Sequence, residues 1–448
     1  MKVLPEKNVK LNTQSREILL KLMKTAIEAA DPYRAVKNSL KVDNGWLEVS
    51  GRKFPVRGRI YLLAFGKAAC GMSRAAFDVL GGKIAEAVVA TKHGYASGCP
   101  PEVEVIEAGH PLPDENSLLA GRLGLELARK VREGDILLVM ISGGGSAIFE
   151  LPEEGITLDE LIKTNDLLLR SGAKIHEINT VRKHISRVKG GKLAKQVKGT
   201  LVSLIISDVV GDNLEAIASG PTVKDPTTFQ DAHEILTRYG LWDKLPGSVR
   251  QHIELGLRGE REETLKDDLP NVHNFIIGSV EKSCLAVKKK AEALGLETHI
   301  LTTVMEGEAR EVGTFLGCMI QEIHRSDRPF RKPAVLIMGG ETTVSVGDAK
   351  GLGGPGQELA LSVARKISGL NAAVVAFDTD GTDGPTDAAG GLVDGSTVEK
   401  LEKAGVDVEE ALRNHDAYHA LEKAGALLKT GPTGTNVNSM VIGIVRGE

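Results

Sequence analysis

The chain has 448 residues, of which 42% are hydrophobic and 26% charged, and its formal net charge is −4. That length exceeds what one core ordinarily organises, so two domains are expected. The mild acidity excludes a broad nucleic-acid surface, and no apolar stretch reaches membrane length. The start, Met1-Lys-Val-Leu-Pro-Glu-Lys7, lacks the apolar core of a secretory signal. Cys70, Cys99, Cys284 and Cys318 form no CxxC pair and read as reduced thiols of a cytoplasmic protein.

Between residues 15 and 30, Ile18, Leu19, Leu22, Ala26, Ile27 and Ala30 share one helical face, and Asp31-Pro32 ends the helix. Val42 to Val56 reads as a small hairpin with turns at Asn44-Gly45 and Gly51. Ile60 to Phe65 is the first core strand, and Gly66-Lys67-Ala68 opens a helix after it. Lys67 can reach over the sheet from there or simply be solvated. Ala87–Thr91 and Val103–Ala108 are further strands, the second leading to His110 before a proline-fixed turn. His110 suits an anion, a cap or packing about equally.

Ile136 to Ile141 is an unbroken apolar run, as in a strand buried on both faces of a parallel sheet. It breaks into Ser142-Gly143-Gly144-Gly145-Ser146. Such a loop at a strand end is a cradle for phosphate or carboxylate oxygens, or else a plain surface turn. A helical block follows in which Arg182, Lys183, Lys189 and Lys192 recur among apolar residues. It suits an anionic ligand or a solvated basic face. Thr200 to Ile206 is a strand ending at Ser207-Asp208, where a carboxylate is placed to act as a base or to hold Mg²⁺.

Residues 225–270 are polar and helical and read as the connection between domains. Strands resume at Asn274, and Ala334–Met338 leads to Gly339-Gly340-Glu341-Thr342. Ala372–Phe377 leads to Asp378-Thr-Asp380-Gly-Thr-Asp383, and Thr433-Gly-Thr-Asn436 precedes a strand at 439–445. The aspartate loop fails as an EF-hand, because its third aspartate falls at position 6 and Ala389 at position 12. Three carboxylates there still suit Mg²⁺ or ribose hydroxyls, or an Asx-turn with capping aspartates.

Eight segments, in order, carry a resemblance: Phe65-Gly-Lys-Ala68, Gly109-His-Pro111, Ser142–Ser146, Ile206-Ser-Asp-Val209, Ala218-Ser-Gly-Pro-Thr222, Gly339–Thr342, Phe377–Gly384 and Gly431–Asn436. Taken together the chain resembles the class II glycerate kinases, whose C-terminal part is the MOFRL domain. The resemblance implies an α/β fold of two domains, with a Rossmann-like parallel sheet, a MOFRL-type α/β domain and an active site in the cleft between them. The expected division is 1–235 with the leading helix, a helical linker at 236–270, and 271–448.

It further implies ATP- and Mg²⁺-dependent phosphorylation of D-glycerate. Lys67 and Asp208 would be catalytic. Ser142, Gly143, Gly144, Gly145, Ser146, His110, Arg182, Lys189 and Lys192 would bind substrate and phosphate. Gly339, Gly340, Glu341, Thr342, Asp380, Thr433 and Asn436 would meet the nucleotide, and Asp378 and Asp383 the metal. Much of the family has an arginine and an asparagine where this chain has Pro355-Gly356, so Arg182, Arg187, Lys189 or Lys192 is expected to replace that cation. The archaeal-type loop favours the 2-phosphate product. A cytoplasmic enzyme without nucleic-acid or membrane partners is implied, compatible with a homodimer. Two other readings stay open, a hydroxypyruvate reductase and a non-catalytic sugar-phosphate-binding protein.

Overall fold

The computed structural model describes residues 14–447. The polar first residues, on which the absence of a signal was read, lie outside them. No helix of the described residues is long and apolar enough to cross a membrane.

Two compact units form. The first runs from Pro32 to Ile277. It opens with an antiparallel sheet of β1 (Leu40–Asp43), β2 (Trp46–Val49) and β3 (Arg52–Pro55), one strand more than the expected hairpin. Its main sheet holds β4 (Ile60–Phe65), β5 (Ile84–Lys92), β6 (Val105–Ala108), β7 (Ile136–Ile141), β8 (Thr200–Ile206) and β9 (Val272–Gly278), in the order β6-β5-β4-β7-β8-β9. Strands β4 to β8 pair in parallel. Every residue of β4 and β7 is buried, which is why their sequences are continuous apolar runs rather than alternating ones. The register aligns Phe65 with Ile141 and Ile141 with Ile205, so three polar loops leave the sheet side by side.

The second unit joins residues up to Asp31 with Gly278 onward. Its sheet holds β10 (Glu297–Met305), β11 (Ala334–Gly340), β12 (Ala372–Asp378), β13 (Gly390–Asp394), β14 (Leu427–Leu428) and β15 (Ser439–Val445). The order is β10-β11-β15-β12-β13-β14, with β15 antiparallel to both neighbours.

The expected division of the chain is corrected in two places. The helix Gln14–Ala29 belongs to the second unit. Its Leu19, Leu22, Met23, Ala26 and Ile27 pack with Val280, Cys284, Ile337 and Phe377, and its buried Arg16 pairs with Asp394 at 2.6 Å. The expected linker is core of the first unit, where Leu241, Leu245, Val249 and Ile253 cluster with Leu161, Val181 and Phe229. The strand at 272–278 closes the first sheet rather than opening the second. In both places apolar faces choose a sheet by area buried, not by nearness in sequence.

The thiol reading is corrected as well. Cys70 and Cys99 form a disulfide, and among the described residues Cys284 and Cys318 stay free.

Candidate active site

The carboxyl edge of the first sheet gathers the chemistry. The turn after β4 and the turn after β7 are bonded to each other. Lys67 donates its backbone N–H to the carbonyl of Gly143 at 2.9 Å, and the Ala68 N–H donates to Ser142 Oγ at 3.0 Å. Gly143 and Gly144 then run beneath three side chains. A Cβ added at Gly143 would stand 2.1 Å from Asp208 Oδ2. One added at Gly144, where φ is 82°, would stand 3.0 Å from the His110 ring and 3.3 Å from Lys67 Cε. Only glycine allows that approach. Among the described residues no acceptor takes the N–H of Gly143 or Gly144, so the loop presents donors beside a cation.

Electrostatics distinguish the three side chains. Burial pushes the Asp208 carboxyl above the usual range, and its own backbone and then Lys67 offset part of that. Burial, then Lys67 and Lys92, lower His110 to about 4, so it is a neutral imidazole at neutral pH. Lys92, at the end of β5, was given no role from sequence. It follows an apolar strand as Lys67 does, and that signal was available.

The outer parts of the loop are structural. The Ser146 hydroxyl lies 2.9 Å from that of Ser219, which reaches Asn179 at 3.4 Å. Ala218 and Ser219 both hold positive φ, 49° and 59°, in the turn that abuts Gly145. Sequence reading drew Ser146 into the cradle and quoted the loop that holds Ser219, but it gave Ser219 and Asn179 no part in fixing Ser146.

The basic block, expected to serve an anionic ligand, is instead paired with side chains of its own unit. Lys189 is buried on Glu150, Lys192 pairs with Glu153 at 2.7 Å, and Lys183 pairs with Asp225 at 3.2 Å. Arg182 donates to Asn165 at 2.8 Å, and burial lowers its pKa. Arg187 meets Glu154 at 3.5 Å. Buried cations need carboxylate partners, and these supply them.

A second polar edge lies within the second unit, where β11 and β12 end beside the start of β15. Register sets Gly340 and Asp378 opposite Ser439. The Thr433 N–H donates to the Asp380 carbonyl at 3.0 Å, and Asn438 donates to Glu341 at 3.3 Å. Asn436 accepts from the Asn438 N–H, and Thr342 is buried beside Glu341. The loops expected to meet the nucleotide therefore converge.

The metal role expected of Asp383 is corrected. Its two oxygens accept the N–H groups of Gly356 and Gln357 at 3.0 and 2.7 Å, capping the helix Pro355–Lys366. Burial raises its pKa to about 6. Burial, and then Asp383, push the Asp378 carboxyl well above the usual range, and it accepts from the Ser439 hydroxyl. Among the described residues no three His, Cys, Asp or Glu are grouped to hold a metal.

Each unit thus places polar loops at one edge of its sheet, and the first adds a cationic cradle. This is the layout of an α/β enzyme that handles small anions. Residues 18–254 match a domain model described as a domain of unknown function, DUF4147, and residues 334–439 match the MOFRL family. A glycerate 2-kinase of Pyrococcus horikoshii is 61% identical over 97% of this chain and 98% of its own length. A D-glycerate 2-kinase of Thermotoga maritima is 46% identical over 96% of this chain and 98% of its own. A solved structure from Pyrococcus horikoshii superposes with a TM-score of 0.91 at 59% identity, covering 98% of this chain and all of that one. The chain belongs to the glycerate kinase family that carries the MOFRL domain.

Proposed function

We propose that this protein transfers the γ-phosphoryl group of ATP to the 2-hydroxyl of D-glycerate. The observation that carries the reading is the convergence of Lys67, His110 and Asp208 on the Gly143-Gly144 backbone. Phosphoryl transfer asks a protein for positioning, for charge stabilisation and for a base toward the attacking hydroxyl. The N–H groups of Gly143 and Gly144 and the Lys67 ammonium offer positive potential to carboxylate and phosphoryl oxygens. Neutral His110 donates one hydrogen bond without adding charge. Asp208, at the same loop, accepts the proton of the 2-hydroxyl, and its raised pKa makes it a better acceptor than an ordinary aspartate.

Nucleotide contact is proposed for the second unit, at Gly339, Gly340, Glu341, Thr342, Asp380, Thr433 and Asn436. Mg²⁺ is assigned to that edge together with the nucleotide. Asp380 and Glu341 help raise Asp378, a repulsion that a cation would relieve, and because no three carboxylates are grouped there among the described residues, phosphate oxygens would supply its remaining ligands. When bound, Mg²⁺ neutralises charge on the phosphates. The 2-position follows the names of the Pyrococcus and Thermotoga relatives.

The test incubates pure protein with ATP, Mg²⁺ and D-glycerate and identifies the product by phosphorus NMR. 2-Phosphoglycerate is expected. 3-Phosphoglycerate would overturn the position of transfer, and steady hydroxypyruvate-dependent loss of NADH would overturn the kinase reading.

A further inference from the structure

Beyond the residues named so far, the second unit holds an arginine fixed against the loop Gly339–Thr343. Three backbone bonds join that loop to the end of β10. Glu341 N–H donates to the Met305 carbonyl at 2.8 Å, Thr343 N–H to Gly307 at 2.9 Å, and Ala309 N–H to Thr343 at 2.9 Å. Arg310 is the next residue, at the start of the helix Ala309–Ser326. Its backbone carbonyl is held too, accepting from Thr314 and Ser362 hydroxyls at 2.9 and 2.7 Å.

The side chain is oriented from one side. Arg310 Nε and Nη2 donate to Glu358 Oε1 at 3.3 and 3.2 Å. Glu358 is 2% exposed, and its other oxygen lies 2.8 Å from His415 Nδ1, which Arg310 Nη2 also approaches at 3.5 Å. His415 holds that place with a φ of 53°, a conformation few residues other than glycine adopt. The inner edge of the guanidinium is thus clamped by a buried carboxylate that is itself clamped. The outer nitrogen, Nη1, has no partner among the described residues, and the side chain stays 29% exposed. Glu308 is the other carboxylate nearby, and both its oxygens accept from Ser345.

A purely structural arginine would turn its whole fork to Glu358. Here a planar donor keeps one edge unpaired and part-exposed, on the residue next to Ala309, whose N–H is bonded to the strand-end loop, and a free guanidinium edge is suited to grip phosphoryl oxygens. We infer that Arg310 binds the polyphosphate of the nucleotide, with Glu358 and His415 as its positioning residues. This rests on the kinase reading above.

The test measures calorimetric affinity for ATP and for adenosine in parent protein, Arg310→Gln and Arg310→Lys, with melting temperature as the check on folding. ATP affinity should fall about tenfold to a hundredfold in the glutamine variant, the range for losing a charge-assisted bond, while adenosine affinity holds. Arg310→Lys retains the pair with buried Glu358 but loses the outer amino group, so it serves if the glutamine variant fails to fold. It should lose ATP affinity in the same direction. A folded variant that binds ATP as the parent does would overturn the inference and leave the kinase reading standing. Equal losses for ATP and adenosine would also overturn it. A parent protein that binds no ATP would overturn both.

Discussion

Asp208 and Lys67 each approach one of two adjacent glycines, and the Lys67 charge offsets part of what burial costs the Asp208 carboxylate. Asp208→Asn keeps the shape and most hydrogen-bonding capacity of the side chain. A capping role would then cost about 1 kcal/mol of stability. As a base, an amide fails, so turnover should collapse while calorimetry still detects D-glycerate. Near-normal turnover of the folded variant would leave Asp208 as a turn residue. Lys67→Ala should lower kcat on the order of a hundredfold or more with a small change in Tm, since its ammonium offsets charge on the transferring group.

His110 makes a pH prediction of definite sign. Its folded value, about 4, lies below the unfolded value of about 6.5. The unfolded chain therefore binds more protons between those values, and stability falls as pH drops from 6.5 toward 4. In His110→Gln that part of the acid destabilisation should vanish, which urea unfolding at pH 7, 5.5 and 4.5 will show. An unchanged pH slope would count against the buried neutral imidazole.

Among elements, the stretch from Cys70 to Cys99 is closed by a disulfide between residues 29 apart; Lys92 lies within that loop and Lys67 three residues before it. Closing a loop of that length stabilises by roughly 3 to 4 kcal/mol in chain-entropy accounting. Cys70→Ser should lower the urea midpoint accordingly, and non-reducing mass spectrometry should find two fewer alkylatable thiols than under reductant. No mass difference would remove the bond.

At this scale the fit between sequence and structure is uneven for physical reasons. Strands β4, β7, β8, β11, β12 and β15 were legible because burial on both faces demands continuous apolar residues. That the glycine loop, Lys67 and Asp208 would meet at one sheet edge was legible because parallel strands finish on the same side. The fate of the basic block was not. Its helical spacing is the same whether it meets solvent or carboxylates, and Glu150, Glu153 and Asp225 lie 39, 39 and 42 residues from their partners. Arg310 was missed for the same reason, being 48 residues from Glu358.

For the molecule as a whole, the division at Asp31 makes a prediction that the expected boundaries would not. Leu22 is fully buried against the second sheet's helices and strands. Leu22→Ala should cost about 2 to 5 kcal/mol. Hydrogen exchange should quicken in β11, β12 and β15 and stay unchanged in β4 and β7. Faster exchange in β4 and β7 alone would return the helix to the first unit. That placement was not readable in order, because a helix's apolar stripe does not say which sheet it will cover.

The position of β15 also bears on how the chain is made. It lies between β11 and β12 and is translated after every strand it joins. The first unit can close once Ile277 has left the ribosome. The helix Gln14–Ala29 must instead wait for Val280 and Cys284 and, last, for β15, and at about 5 to 20 residues per second its apolar stripe is fully covered only after roughly 20 to 80 s. Until β15 is made, β11 and β12 have no strand to separate and bridge them. A nascent chain stalled before Ser439 should therefore resist protease across residues 32–277 and be cut freely at both of its ends, with the opening helix as labile as the segment made last.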